Sequence, residues 1–172
     1  MKPQWKYTIF KTDAGWLCIV GSSEGIRRVT LPRQSCQEAF MEAGEEIKYA
    51  TQSSRAFKDL AARFSLYYRG GNTKFPDRLD LTGATLFQRK VWQATRLISY
   101  GETRSYAWVA NRINNPKAVR ASGQALGKNP LPVIVPCHRV ISSDGKLGGF
   151  SGGLDMKRRL LSLEGITGFS IK

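Results

Sequence analysis

Apolar and polar positions alternate at the start of the chain. WKYTIFKT, WLCIVG and IRRVTLP are short β-branched and aromatic runs separated by the turn signals DAG and SSEG. A period of two with turns at this spacing predicts a three-strand antiparallel meander. From Ser53 the period lengthens. Phe57, Leu60, Phe64 and Tyr67 fall on one helical face, and Gly70-Gly71 predicts where that helix stops. NTKFPDRLDLTGAT follows without periodicity. It predicts a linker near residues 72–84, between a β-rich domain over 1–80 and a second domain over 84–172.

The second half reads as mainly helical. TLFQRKVWQATRLIS places Phe87, Val91, Trp92, Thr95 and Leu97–Ile98 on an apolar stripe. YGETRS is a loop. SYAWVANRI predicts a short helix with Ser105 as its N-cap. NNPKAVRASGQALGKN predicts a second helix with Pro116 in its first turn. Two short helices joined by a few turn residues outline a helix-turn-helix. Lys117, Arg120 and Lys128 on or beside the second helix turn that outline toward DNA. FSGGLDMKRRLLSLEG predicts a Gly-rich loop and a last helix from Asp155 to about Leu163, capped by Gly165.

Composition adds three constraints. At 172 residues and 41% hydrophobic, the chain can build a real core. No run approaches the apolar length of a membrane span, and MKPQWKYTIFK lacks an apolar signal core, so neither a membrane nor secretion is expected. The net charge of +14 is uneven. Residues 1–83 hold 13 Lys/Arg against 9 Asp/Glu, and residues 84–172 hold 14 against 4. A basic surplus in one half points to a polyanion such as nucleic acid. The three cysteines, Cys18, Cys36 and Cys137, suit a reducing compartment rather than a disulfide framework. With a single histidine and no CxxC pair, no metal site is expected. Cys18 and Cys36 are expected to pack as small hydrophobes.

The chemistry concentrates in LPVIVPCHRVISSDG, residues 131–145, where a thiol, the sole histidine and a guanidinium interrupt an apolar run. A thiol attacks only as thiolate, which requires a positive neighbour, a helix N-terminus or a base. Neighbours in an extended segment point to opposite faces. Cys137 and His138 therefore need either a turn at Pro136-Cys137 or a bridging water, and the water is favoured. Glu164, at the end of the last helix, is the expected partner for the other imidazole nitrogen.

NPLPVIVPCHRVISSDGKLGGFSGG resembles the active-site segment of the O6-alkylguanine-DNA alkyltransferase family, whose signature Pro-Cys-His-Arg-Val falls here at Pro136 to Val140. FQRKVW, GETRSYAWVA, NPKAVRASGQALGKNP and GGFSGGLDMKRRLLSLEG extend the likeness over about Phe87 to Gly165. It implies an α+β fold: a small N-terminal antiparallel β-sheet plus helix domain of ribonuclease H-like type, then a mainly helical winged helix-turn-helix domain. It also implies DNA repair by direct reversal. An alkyl group on O6 of guanine, with O4 of thymine a candidate second substrate, passes irreversibly to Cys137 from a flipped-out nucleotide, once per protein molecule and without cofactor or metal.

The same resemblance assigns roles. Cys137, His138, Glu164, Asn129 and Tyr106 would be catalytic, with Asn129 holding the turn and Tyr106 giving a proton to the leaving base. Tyr106, the carbonyls of Cys137 and Val140, Phe150, Ser151, Gly152 and Pro132 would form the substrate site. Arg120 would fill the vacated stack, and Tyr106, Ser122, Gln124, Asn115, Lys117 and Ser143 would touch DNA. Duplex DNA carrying O6-alkylguanine is the implied partner, the protein acting as a monomer in the cytoplasm, or in the nucleus of a eukaryote. Two features depart from the pattern: Phe150 stands where a tyrosine is frequent, and Ser122, Gln124 and Leu126 are longer than the usual helix residues and would shift groove contacts. A non-catalytic lesion binder of the same family is the alternative, and Cys137 argues against it. A multiple-turnover Cys-His hydrolase is a third reading, and it would not need the basic helix-turn-helix.

Overall fold

The computed structural model describes residues 4–169. The chain forms two compact units, Met1–Thr82 and Gly83–Lys172.

In the first unit, β1 (Trp5–Thr12), β2 (Gly15–Ser22) and β3 (Gly25–Val29) make the antiparallel meander. Ile9 faces Cys18 and Tyr7 faces Val20 in the β1–β2 register. The sheet has a fourth strand. β4 (Ala50–Gln52) runs parallel to β1, giving the order β3-β2-β1-β4, so the sheet is mixed rather than purely antiparallel. β2 is central, and Leu17 to Val20 are fully buried. Alternation sends Cys18 and Val20 to one face, against Ala39, Ala43 and Ile47. Ala39 belongs to α1 (Cys36–Glu42), whose N-cap Ser35 accepts a hydrogen bond from Glu38 N. α2 (Lys58–Tyr67) buries Leu60, Phe64 and Tyr67, as its period predicts.

Two expectations for this unit need correction. Cys36 is exposed, because the first residue of α1 points away from the sheet. Residues 72–82 are not a loose linker. Ile26 N donates to Arg78 O (2.8 Å) and Asp80 N donates to Ile26 O (2.9 Å), so the segment pairs along β3. Arg63 grips Asp77 with two 2.7 Å bonds, and Arg27 holds Asp80 at 2.9 Å.

The second unit contains α3 (Leu86–Thr95), β5 (Arg104–Ser105), α4 (Tyr106–Arg112), α5 (Val119–Gly127), β6 (Val140–Ile141) and α6 (Leu154–Leu163). A Thr85–Gln88 capping box starts α3, and Ser105 caps α4 through Trp108 N. α5 packs on α3 and α4, and the Trp92 indole donates to Ala125 O at 2.9 Å. α4 and α5 form the helix-turn-helix. Pro116 lies in the turn before the N-cap Ala118, outside the helix where it was expected. Leu97 is exposed because α3 has ended by Thr95 and the stripe loses phase, whereas Ile98 stays buried. β5 and β6 pair in parallel, Arg104 with Val140 and Ser105 with Ile141. This short pairing carries Tyr106 to the turn that contains Cys137.

Candidate active site

Pro136 ends the buried run, and Cys137–Arg139 wind into a single 3-10 turn. The coil beneath it is tight. Val135 N donates to Leu131 O (2.8 Å) and Cys137 N to Val135 O (2.7 Å), while Val133 sits at a φ of 75°. A β-branched residue rarely adopts that backbone. Asn129 clamps the coil. Its amide nitrogen donates to Val135 O (2.9 Å) and to Cys137 Sγ (3.2 Å), and its oxygen accepts from Leu131 N (2.9 Å). A turn rather than an extended segment thus sets the relation of Cys137 to His138.

His138 is fully buried, with Nε2 2.7 Å from Glu164 Oε1. Glu164, the C-cap of α6, also accepts from Arg139 Nε (2.8 Å), Arg139 Nη2 (2.9 Å) and Gly101 N (3.1 Å). Arg139 Nη1 donates to Ile98 O at 2.7 Å. Burial alone would raise the Glu164 pKa, but the hydrogen bonds from His138 and Arg139 and the Arg139 charge outweigh it and hold the carboxyl down at about 2. Burial pushes the His138 pKa down against the pull of Glu164, so the ring rests neutral. An ionised Glu164 takes the Nε2 proton as its hydrogen bond, which makes Nδ1 the basic nitrogen. Burial pushes the Cys137 thiol up, and the Asn129 N–H and the Lys157 charge oppose it. The resting sulfur is therefore a thiol that needs a base.

A cavity of about 440 Å³ opens onto Cys137, which is only 6% exposed. Its wall includes Tyr106, Arg120, Gln124, Ser142, Gly148, Gly149, Phe150 and Ser151. The Tyr106 hydroxyl donates to Gly149 O at 3.2 Å. Gly148 adopts a φ of 72°, and a Cβ there would come within 2.7 Å of the Tyr106 ring and hydroxyl. Only glycine lets the wall lie against this tyrosine. Among the described residues, no acidic side chain lines the cavity.

The family model for the 6-O-methylguanine DNA methyltransferase DNA-binding domain matches residues 86–166. A methylated-DNA–protein-cysteine methyltransferase of Methanosarcina acetivorans is 39% identical over 162 residues, 92% of this chain and 97% of that protein. One from Mycolicibacterium paratuberculosis is 50% identical over 114 residues, 66% of this chain and 68% of that protein. The chain belongs to the methylated-DNA–protein-cysteine methyltransferase family. The crystal structure of Mycobacterium tuberculosis OGT in complex with DNA superposes with a TM-score of 0.77 at 39% identity, covering 92% of each chain.

In this member of the methyltransferase family, the structure gathers Cys137, Tyr106, Arg120, Gln124, Phe150 and Ser151 on one cavity wall. Behind the sulfur it gathers Asn129, His138 and Glu164. Other expected site residues lie off that wall. Pro132 is half-buried and bridges to Val135 within the coil. Val140 is buried, and its carbonyl already accepts from Lys157 Nζ at 2.6 Å. Gly152 is exposed beyond Ser151, Asn115 and Lys117 are exposed in the α4–α5 turn, and Ser143 is exposed after β6. Ser122 is a correction. It is completely buried, on the α5 face shared with Ala125 and Leu126, and so cannot contact DNA. Leu126 is buried as well, so of the three longer helix residues only Gln124 is exposed.

Two residues beside Cys137 received no role from the sequence. Arg139 anchors Glu164, as described above. Lys157 is completely buried, and its ammonium donates to the carbonyls of Val140 (2.6 Å), Leu147 (2.5 Å) and Gly149 (3.0 Å). Burial lowers its pKa to about 8, and Cys137 opposes the shift. The available signal was position. Lys157 shares a helical face with Leu160 and Leu161, where a solvated lysine does not belong.

Proposed function

We propose that this chain repairs duplex DNA by direct reversal, moving an alkyl group from O6 of guanine to Cys137. The target carbon is inaccessible within the stack, so the nucleotide turns out into the cavity at Cys137. The Cys137 proton passes to His138 Nδ1 through one water, and Glu164 stabilises the imidazolium that forms. The sulfur lone pair then forms a bond to the alkyl carbon as the carbon–O6 bond breaks. The electron pair stays with the guanine, which takes a proton from Tyr106, and the proton taken up by His138 returns through water to the tyrosinate, leaving both groups neutral. The product is a thioether with no easy return, so each molecule acts once. Arg120, at the cavity rim on α5, fills the gap that the nucleotide leaves. The protein acts as a monomer, in the cytoplasm of a prokaryotic cell.

The observation that carries this reading is the combination at Cys137: a thiol opening on a cavity, backed by a buried His138–Glu164–Arg139 network. The test is incubation with duplex DNA carrying a labelled O6-methyl group, followed by intact-mass measurement. One methyl per protein, lost in Cys137→Ser, is the expected result. Label that stays on the DNA identifies a lesion binder and overturns the proposal. More than one methyl released per protein identifies a hydrolase.

A further inference from the structure

The nine residues of α5, VRASGQALG, divide into two faces. Ser122, Ala125 and Leu126 form the buried one. Val119, Arg120, Ala121, Gln124 and Gly127 are exposed. Arg120 and Gln124 are the only polar side chains on that outer face, and at a spacing of four they are neighbours on it. Both line the cavity of about 440 Å³ at Cys137, as do Gly123 and Gly127. The two glycines leave Gln124 uncrowded. A Cβ at Gly127 would meet nothing within 4 Å, and one at Gly123 would lie 3.6 Å from the Tyr106 ring. The Gln124 carboxamide therefore stands at the cavity mouth, close to Tyr106, and has no hydrogen-bond partner among the described residues.

Alkyl transfer gives Arg120 a task and leaves Gln124 without one. Arg120 enters the vacated stack, and its guanidinium only donates. Gln124 both donates and accepts from one planar group. Four residues advance a helix by about 6 Å, and successive base pairs are about 3.4 Å apart. With Arg120 in the gap, Gln124 reaches the base pair beside it. A carboxamide there can tell pairs apart. In the major groove it matches adenine N6 and N7, and in the minor groove it meets a donor, guanine N2, only where a G·C pair stands. From either groove, a joined donor and acceptor separates A·T from G·C. A lysine or arginine on a phosphate carries no such information.

We infer that Gln124 is a specificity-determining residue that reads the base pair next to the lesion, so that the rate of transfer depends on that pair. This inference rests on the alkyl-transfer reading and gives its DNA substrate a preferred sequence context.

The experiment measures methyl transfer by intact mass from duplexes of one length, in which the pair on each side of O6-methylguanine is either G·C or A·T. It uses the wild type and Gln124→Met. Gln124 is exposed, and methionine matches it in length and helix propensity, so the variant keeps the fold and loses the donor and acceptor. In the wild type, the fastest and slowest duplexes are expected to differ about fivefold or more. Gln124→Met is expected to shrink that ratio about threefold or more. The stiffness of the flanking DNA adds a sequence dependence that no side-chain change removes, so the readout is the change in the ratio between the two proteins. A ratio that is the same in both proteins, whether large or close to one, overturns the inference while leaving alkyl transfer intact. An equal slowing of every duplex by Gln124→Met places the residue on the DNA backbone and overturns it too. A wild type that moves no methyl overturns the alkyl-transfer reading and this inference with it.

Discussion

The sheet core of the first unit and the turn at Cys137 each bury a thiol, and they surround it in opposite ways. Cys18 sits in the middle of β2 among Val20, Ala39 and Ile47, and its sulfur donates only a long bond, to Ile19 O at 3.9 Å, among the described residues. Burial pushes its pKa up to about 12. Cys137 is also pushed up by burial, but an Asn129 N–H reaches its sulfur at 3.2 Å and a cavity opens before it. Burial silences a thiol. Only the polar groups brought in beside it make it useful. The contrast extends to the charges. Apart from Asp80, buried against Arg27, the first unit keeps pairs such as Lys48–Glu45 and Arg69–Asp13 in solvent, where they add little stability. The second unit takes His138, Arg139, Lys157 and Glu164 inside. A buried ionic network is a poor route to stability, and this one, unlike the Arg27–Asp80 pair, stands beside a cavity and a thiol.

The sharpest way to break this contrast is to exchange the thiols' fates. Cys137→Ser is expected to lower methyl transfer by about 10⁴-fold or more, whereas Cys18→Ala keeps the rate within about twofold and costs about 1–2 kcal/mol of stability. Mass spectrometry and urea unfolding read the two, and a silent Cys18→Ala protein would erase the distinction. Next is Glu164→Gln. It leaves Arg139 buried without its counter-charge and His138 without its anchor. Transfer should fall about 10²–10³-fold and unfolding free energy by about 3–5 kcal/mol. An unchanged rate would remove His138 from the proton path.

The pH dependence sharpens the same point. The folded Glu164 pKa, about 2, lies below its ordinary 4.5. Its contribution is therefore complete above pH 4.5 and is lost as the pH falls toward 2, on the order of 3 kcal/mol. Glu164→Gln should flatten that slope in acid unfolding curves. A smaller effect is expected at Arg120. Arg120→Ala should slow transfer from duplex DNA about tenfold and leave transfer from free O6-methylguanine base unchanged, and equal losses on both substrates would place Arg120 outside DNA binding. The smallest effect belongs to Ser122. Its buried hydroxyl has no hydrogen-bond partner among the described residues, so Ser122→Ala should be neutral or stabilise by up to about 1 kcal/mol, without changing DNA affinity.

The periodic parts of the fold are legible in the sequence. β1, β2 and β3, the buried face of α2 and the helix-turn-helix pair follow from spacing alone. α1 and β4 do not. α1 buries a single residue, Ala39, and β4 is three residues whose pairing with β1 spans a long loop. Neither leaves a local period to read. At the site, Pro-Cys-His-Arg-Val marks the segment that holds Cys137 and His138, and Glu164 follows from its place among leucines. The buried positions of Lys157 and Arg139 depend on contacts formed by distant parts of the chain, which a local pattern does not carry. Ser122 is instructive in the other direction. Its neighbours Ala125 and Leu126, three and four residues on, already place it on the inner face of α5.

Glu164 stands 26 positions after the imidazole it orients, as the cap of the last described helix. While the chain is still being synthesised, Cys137 emerges well before this carboxylate does. Until α6 has docked, His138 lacks the carboxylate that holds its Nε2 proton. Under the proposed mechanism, competence for transfer thus arrives only when assembly of this unit is complete.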